Sequence, residues 1–181
     1  MHFLNLKKYY FIDDFNPNHL KDLDKNITLI WRRKDKEENL EKIKELAYFC
    51  KKNKLQLLLS NNFKLALKLK LSGVYISAGN RSLMFNRFKF RKNFKIVGAA
   101  HNQIELNIKK LQNASEIFIS PIFKYKNKKA LGIHKVMNLF KNKDIKLIAL
   151  GGVNKKNIKI LRLKKFYGYA AIEMFQKKRP Q

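Results

Sequence analysis

Gly151 and Gly152 close a short apolar run, Lys146–Leu150. They lead into a segment opening at Asn154 or Lys155, with Ile158, Leu161 and Leu163 near helical spacing. A strand that stops at paired glycines and feeds a helix lets backbone N–H groups come close to an anion. Other apolar runs also end on polar groups. Arg32 and Lys34 follow one and Ser60, Asn61 and Asn62 another, then Asn80, His101 with Asn102, Ser120, and Glu173. Cations, amides, a hydroxyl and backbone N–H groups can together hold anionic oxygens, provided that the fold brings them to one place.

The apolar runs must be the strands that do so. Tyr9–Ile12, Ile27–Trp31, Leu55–Leu59, Gly73–Ile76, Phe94–Gly98, Glu116–Ser120, Lys146–Leu150 and Gly168–Ile172 are short and rich in aliphatic or aromatic residues. Helical spacing fills the gaps. A short helix is expected around His19–Leu23. Glu37–Lys52 repeats Leu40, Ile43, Ala47 and Cys50 at three- and four-residue steps. Phe63–Leu71 turns Leu65, Ala66 and Leu69 inward, and further helices are expected over Gln103–Leu111 and near Lys135–Lys141, with His134 at the start of the latter. Residues 81–92 lack a clean period and read as a long loop with a short helix.

Such alternation calls for a parallel sheet. About eight units favour a closed (β/α)8 TIM barrel over an open doubly wound sheet, whose glycine-rich first turn is missing from Tyr9–Asn18. Barrels usually start near about 200 residues, so the helices here must be short or partly missing. In a barrel the polar strand ends converge on one mouth.

Composition narrows the classes. The 181 residues suit one domain, and an apolar share of 45% with 12% aromatic argues against disorder. The net charge of +28 is spread through every segment, including Lys51–Lys54, Lys68–Lys70, Lys109–Lys110 and Lys155–Lys165. A nucleic-acid face would be clustered, and the abundance of Lys, Asn and Ile together fits an AT-rich genome. Such a surface still draws anionic ligands. No apolar run approaches a membrane span, and the first residues lack a secretory core, so a cytoplasmic location is expected. The single cysteine, Cys50, excludes an intramolecular disulfide and reads as a buried packing residue.

Four segments, in order, resemble the thiamine phosphate synthase and TenI family of (β/α)8 barrels. Ile96–Asn102 (IVGAAHN) resembles the end of its fifth strand, and Ile119–Phe123 (ISPIF) its SP[VI]F segment. Ile148–Val153 (IALGGV) is similar to its A[IL]GG[IVM] segment, and Gly168–Ile172 to its last strand. The resemblance runs from about Tyr9 to Phe175. It implies thiamine biosynthesis: an aminopyrimidine diphosphate is joined to a thiazole phosphate, and pyrophosphate leaves. The family's Gln-Leu-Arg-x-Lys stretch falls on Ile30–Lys34, so Arg32 and Lys34 match the residues that hold the diphosphate. Lys126 is the nearest match to a diphosphate-binding loop lysine, with Lys128 and Lys129 as alternatives in register. The resemblance places thiazole phosphate at Gly151 and Gly152 and at Ile172 and Glu173, with His101 and Ser120 nearby at the mouth.

The departures are specific. Asn61 and Asn80 occupy the positions of the family's two Mg²⁺-binding aspartates, and neutral amides should bind Mg²⁺ more weakly. Ala100 and Glu173 stand where serines are usual. Three functions follow. The first is a divergent synthase whose lysines and Arg32 replace much of the metal's charge. The second is a TenI-like protein that binds or tautomerises a thiazole phosphate, with His101 the proton carrier. The third, carried by charge alone, is a basic anion- or nucleic-acid-binding protein. Small phosphorylated ligands are the expected partners.

Overall fold

The computed structural model describes residues 6–32, 39–125, 127, 129–139, 145–172 and 174–175. Eight parallel strands form a closed barrel in sequence order. They are β1 Lys7–Ile12, β2 Ile27–Trp31, β3 Gln56–Ser60, β4 Gly73–Ile76, β5 Lys95–Ala100, β6 Glu116–Ile119, β7 Lys146–Leu150 and β8 Gly168–Ala170. Closure is made by β8 on β1, with Lys8 opposite Tyr169 and Tyr9 opposite Ala170. Between the strands lie α1 Pro17–Leu20, α2 Leu40–Lys52, α3 Phe63–Lys68, α4 Gln103–Leu111, α5 Ile133–Leu139 and α6 Ile158–Leu163, while a 3-10 turn, Met84–Arg87, stands between β4 and β5.

The short helices fit the short chain, and asparagine sets where four of them start. Asn16, Asn39, Asn62 and Asn102 cap α1 to α4, each accepting a hydrogen bond from the N–H three residues on at 2.9–3.1 Å. Asn39, extended, caps α2 at Leu40; the expected start at Glu37 lies outside the described residues. Ile43, Leu46 and Cys50 form its buried stripe, whereas Leu40 is 42% exposed. At the other end of α3, Lys70 adopts a φ of 53°, and the helix stops at Lys68 rather than Leu71. On α6 Leu161 is buried and Leu163 exposed.

Apolar residues on both strand faces serve two cores. Tyr9, Ile30, Leu58, Tyr75, Val97, Phe118 and Ile148 fill the barrel. Their neighbours Tyr10, Leu29, Leu57, Leu59, Val74 and Ile117 pack outward under the helices. Large rings carry much of the interior. Tyr9 meets Phe118 edge-on at 5.1 Å, and Phe11 meets Tyr75 in the same way at 5.2 Å. The barrel is a packed core, so any ligand must sit at its mouth.

Candidate active site at the barrel mouth

A closed ring of parallel strands sends every strand's C-terminal end to one face. Arg32, Asn61, Asn80, His101, Ser120, Gly151, Gly152 and Ile172 all follow or end those strands. Lys34, Lys126 and Glu173 lie outside the described residues.

Arg32 prolongs the β1–β2 ladder, its N–H donating to the Ile12 carbonyl at 2.8 Å. Its guanidinium carbon lies 5.9 Å from the Phe11 ring centre. Burial raises the pKa of the Tyr75 hydroxyl and the Arg32 charge opposes that rise, so the guanidinium's field reaches the top of the barrel. Arg32 lines a cleft of about 370 Å³ with Phe11, Asp13, Asn16, Leu150 and Ile172. Asp13 and Asp14 were not singled out in the sequence, although two carboxylates directly after the first strand were a visible signal. Asp14 is paired with Lys42 of α2 at 2.8 Å, while Asp13 lines the same cleft as Arg32 with the opposite charge.

Gly151 and Gly152 adopt φ values of 85° and 70°, which side chains disfavour. A Cβ on Gly151 would lie 2.9 Å from Pro121, and one on Gly152 would lie 2.7 Å from the Lys124 carbonyl. The β6–α5 loop is bonded to this turn, Ile122 N–H to Leu150 O at 2.9 Å and Phe123 N–H to Gly151 O at 3.1 Å. Ser120, joined to Pro121 by a cis peptide, packs under the turn. Both glycines are thus required by the loop alone. The same arrangement also builds a second cleft of about 200 Å³, lined by Lys124, Gly151, Gly152, Asn154, Ala171 and Ile172. Lys124 was missed in the sequence, being one lysine among several in its loop. The two clefts share Leu150 and Ile172 as a common wall.

Beyond the ends of β3 and β4, Asn61 and Asn80 meet. Asn80 Nδ2 donates to Asn61 Oδ1 at 3.1 Å, and that oxygen also accepts the Ser77 N–H at 3.0 Å. Asn61 Nδ2 donates to Ser77 Oγ at 3.0 Å, and Asn80 Oδ1 accepts the Ser82 N–H at 3.0 Å. Backbone donors therefore fix which end of each amide is oxygen. Mg²⁺ favours anionic oxygen in near-octahedral array. Two neutral amides, one with its oxygen already meeting the Ser77 N–H, the Ser77 hydroxyl and Asn80 Nδ2, do not fit that ion, and among the described residues no cluster of three or more His, Cys, Asp or Glu could hold a metal.

Beneath Asn80 lies a residue that the sequence concealed. Lys109 of α4 is fully buried and passes over Gly98, where a Cβ would come within 2.9 Å of its Cδ. Its ammonium donates to the Asn80 carbonyl at 2.6 Å and to Gln112 Oε1 at 2.9 Å. Gln112 Nε2 adds bonds to Asn80 O and Ser82 O at 3.0 and 2.8 Å. Burial pushes the Lys109 pKa down to about 8, against the pull of Glu105. His101 is occupied locally: Glu105 Oε2 lies 3.0 Å from its Nδ1 and accepts its backbone N–H at 2.7 Å.

Fold and site together define a (β/α)8 barrel with an anion-attracting mouth of two adjoining clefts. The sequence places it more closely. The family model described as thiamine monophosphate synthase matches residues 20–175, and the chain belongs to that family. A thiamine-phosphate synthase of Prochlorococcus marinus subsp. pastoris is 30% identical over 84% of this chain, which spans about half (46%) of that relative's length. One of Pelagibacter ubique is 27% identical, covering 90% of this chain and 85% of its own. In structure, the thiamine phosphate pyrophosphorylase of Pyrococcus furiosus superposes with a TM-score of 0.71 over 93% of this chain and 86% of its own, at 16% identity, a likeness of fold. No helix among the described residues is long and apolar enough to cross a membrane.

Proposed function

We propose that this protein joins an aminopyrimidine diphosphate to a thiazole phosphate, releasing pyrophosphate and forming thiamine phosphate. The observation that carries this reading is the pair of adjoining clefts with a shared wall at Leu150 and Ile172. Two phosphorylated substrates need two anion seats side by side, close enough for their reacting atoms to meet. The thiazole phosphate is assigned to the cleft of Lys124, Gly151 and Gly152, and the pyrimidine diphosphate to the Arg32 side.

In this reaction the pyrimidine methylene–oxygen bond breaks, the electron pair leaves with pyrophosphate, and the thiazole nitrogen captures the electron-poor carbon. No proton need move before the leaving step. The chain's task is electrostatic: the Arg32 guanidinium faces the growing negative charge of the leaving pyrophosphate, and the Asp13 carboxylate in the same cleft is assigned to the positive charge that develops on the pyrimidine. Lys34 and Lys126, which the family resemblance matches to cations on the diphosphate, carry that role in this reading.

Titration of each substrate alone, then of the second into the first complex, tests the two-seat arrangement. Both should bind and the second should not displace the first; mutual displacement would contradict it. The TenI-like alternative has one observation in its favour, the His101–Glu105 pair at the end of β5. It requires His101 to move a proton of bound thiazole phosphate, so loss of isomerisation in His101→Asn would support it.

A further inference from the structure

By the family resemblance Asn61 and Asn80 stand at the positions of two Mg²⁺-binding aspartates, and their hydrogen bonds leave the pair richer in free donors than in free acceptors. Asn61 Oδ1 accepts from the Ser77 N–H and from Asn80 Nδ2. Asn80 Oδ1 accepts from the Ser82 N–H. Each amide nitrogen carries two hydrogens. One hydrogen of Asn61 Nδ2 goes to Ser77 Oγ, and one of Asn80 Nδ2 goes to Asn61. One N–H on each residue remains, so the pair's spare capacity lies chiefly in donors. The backbone partners prevent either amide from turning over to offer its oxygen instead.

Three further features agree with this sign. Asn61 holds its place in the left-handed region, φ 56°, which asparagine tolerates, with its N–H bonded to Tyr75 O at 2.8 Å. Asn61 is exposed and borders an open cleft of about 390 Å³ with Lys64 and Ser82, so a ligand has access to its free N–H, while Asn80 lies half-buried beside it. The Lys109 ammonium is bonded to the carbonyl of Asn80 itself. A buried cation there would oppose Mg²⁺ binding and favour an anion. Gln112 shares the same carbonyl, so the loop that presents Asn80 is clamped from below.

We infer that the Asn61–Asn80 pair binds a phosphoryl oxygen directly through its two free N–H groups, with Lys109 as the positioning cation behind it and no metal ion between. The ligand class is a diphosphate, with inorganic pyrophosphate its simplest member. The inference rests on the proposed function for assigning the diphosphate to Arg32, which follows β2, the strand next to β3 and Asn61, and it specifies how that site replaces the charge of the metal.

Calorimetric titration of inorganic pyrophosphate into the full chain, once in excess EDTA and once in Mg²⁺, decides it. The wild type should bind in EDTA with an affinity within about threefold of that in Mg²⁺. The double variant Asn61→Asp, Asn80→Asp should lose tenfold or more in EDTA and recover it in Mg²⁺, since carboxylates repel the anion and accept the ion. Wild-type binding only in Mg²⁺, no binding in either buffer, or a double variant that binds as wild type in EDTA would each overturn the inference. The wild-type comparison needs no variant to fold. Metal-free pyrophosphate binding without turnover of the two substrates would sink the synthase reading and leave this one. Turnover together with strictly Mg²⁺-dependent pyrophosphate binding would do the reverse.

Discussion

The two ends of the barrel both hold charge and put it to opposite uses. At the floor, Glu116 at the start of β6 is buried and accepts the Tyr9 hydroxyl. Tyr167 bonds to the same carboxylate, whose charge also acts on Lys95, and Lys95 in turn feels the charges of Lys7 and Lys146. Lys95 also donates to Gln56 at 2.8 Å, and Gln56 accepts from Thr28 at 3.2 Å. At the mouth, Arg32 faces a cleft, Lys124 faces another, and the asparagine pair keeps two unspent donors. A buried polar group whose partners are all protein holds the fold together. One with spare capacity beside a cleft is equipped for a ligand.

The sharpest way to break this contrast is at the floor. Glu116→Ala should strand the Tyr9 and Tyr167 hydroxyls and leave Lys95 without its opposite charge, destabilising the fold by about 3–5 kcal/mol. Chemical denaturation measures it, and pyrophosphate affinity of the remaining folded protein should be unchanged. Arg32→Ala should do the opposite, leaving stability within about 0.5 kcal/mol while lowering kcat/KM about 100-fold, or about 2.7 kcal/mol of transition-state binding. A variant that unfolds, or that turns over normally, would erase the distinction.

Gly152→Ala joins both effects. Its φ of 70° and the 2.7 Å approach of the Lys124 carbonyl predict a loss of about 1–3 kcal/mol in thermal or denaturant unfolding, with weaker thiazole phosphate binding as the loop shifts.

Lys109 supplies a pH test. Its folded pKa, about 8, lies below the ordinary lysine value of 10.5. Below pH 8 the ammonium is charged in both states. Between the two values the folded chain has lost a proton that the unfolded chain keeps, so this group's contribution to stability rises with pH. Anion binding should move the other way, weakening as the charge is lost. Glu105 on α4 is the charged group acting on Lys109, while Gly98 of β5, Gln112, Asn80 and Ser82 bring no charge. Metal-free pyrophosphate affinity should fall roughly three- to tenfold more across pH 8 in the wild type than in Lys109→Met, which carries no titrating group there. Equal pH profiles would show that the ammonium is structural only.

The smallest effect is at Cys50, whose thiol burial pushes up to about 12. It should resist a thiol-specific reagent at neutral pH until the chain unfolds.

Much of this was legible beforehand because β strands and α helices leave different periods. The eight runs, their order and the polar residue at each end follow from local pattern, and a closed barrel makes one mouth of them. Residues that act across distance were not legible. Lys109 looks like any lysine of a basic helix; only the small Gly98 across from it creates a channel for its chain. Leu57, Leu58 and Leu59 cannot reveal which of them faces inward, because both faces of a parallel barrel strand are apolar. Asn62 and Asn102 stood among the polar strand ends with Asn61 and Asn80, yet the former two cap helices and the latter two pair across strands. Composition cannot separate those uses, since one amide serves both.

The central claim is that the mouth performs the coupling itself. Mixing the aminopyrimidine diphosphate with the thiazole phosphate and following pyrophosphate release measures it directly. The account predicts release that needs both substrates and falls about 100-fold in Arg32→Ala. Tight binding of thiazole phosphate with no pyrophosphate released would contradict it.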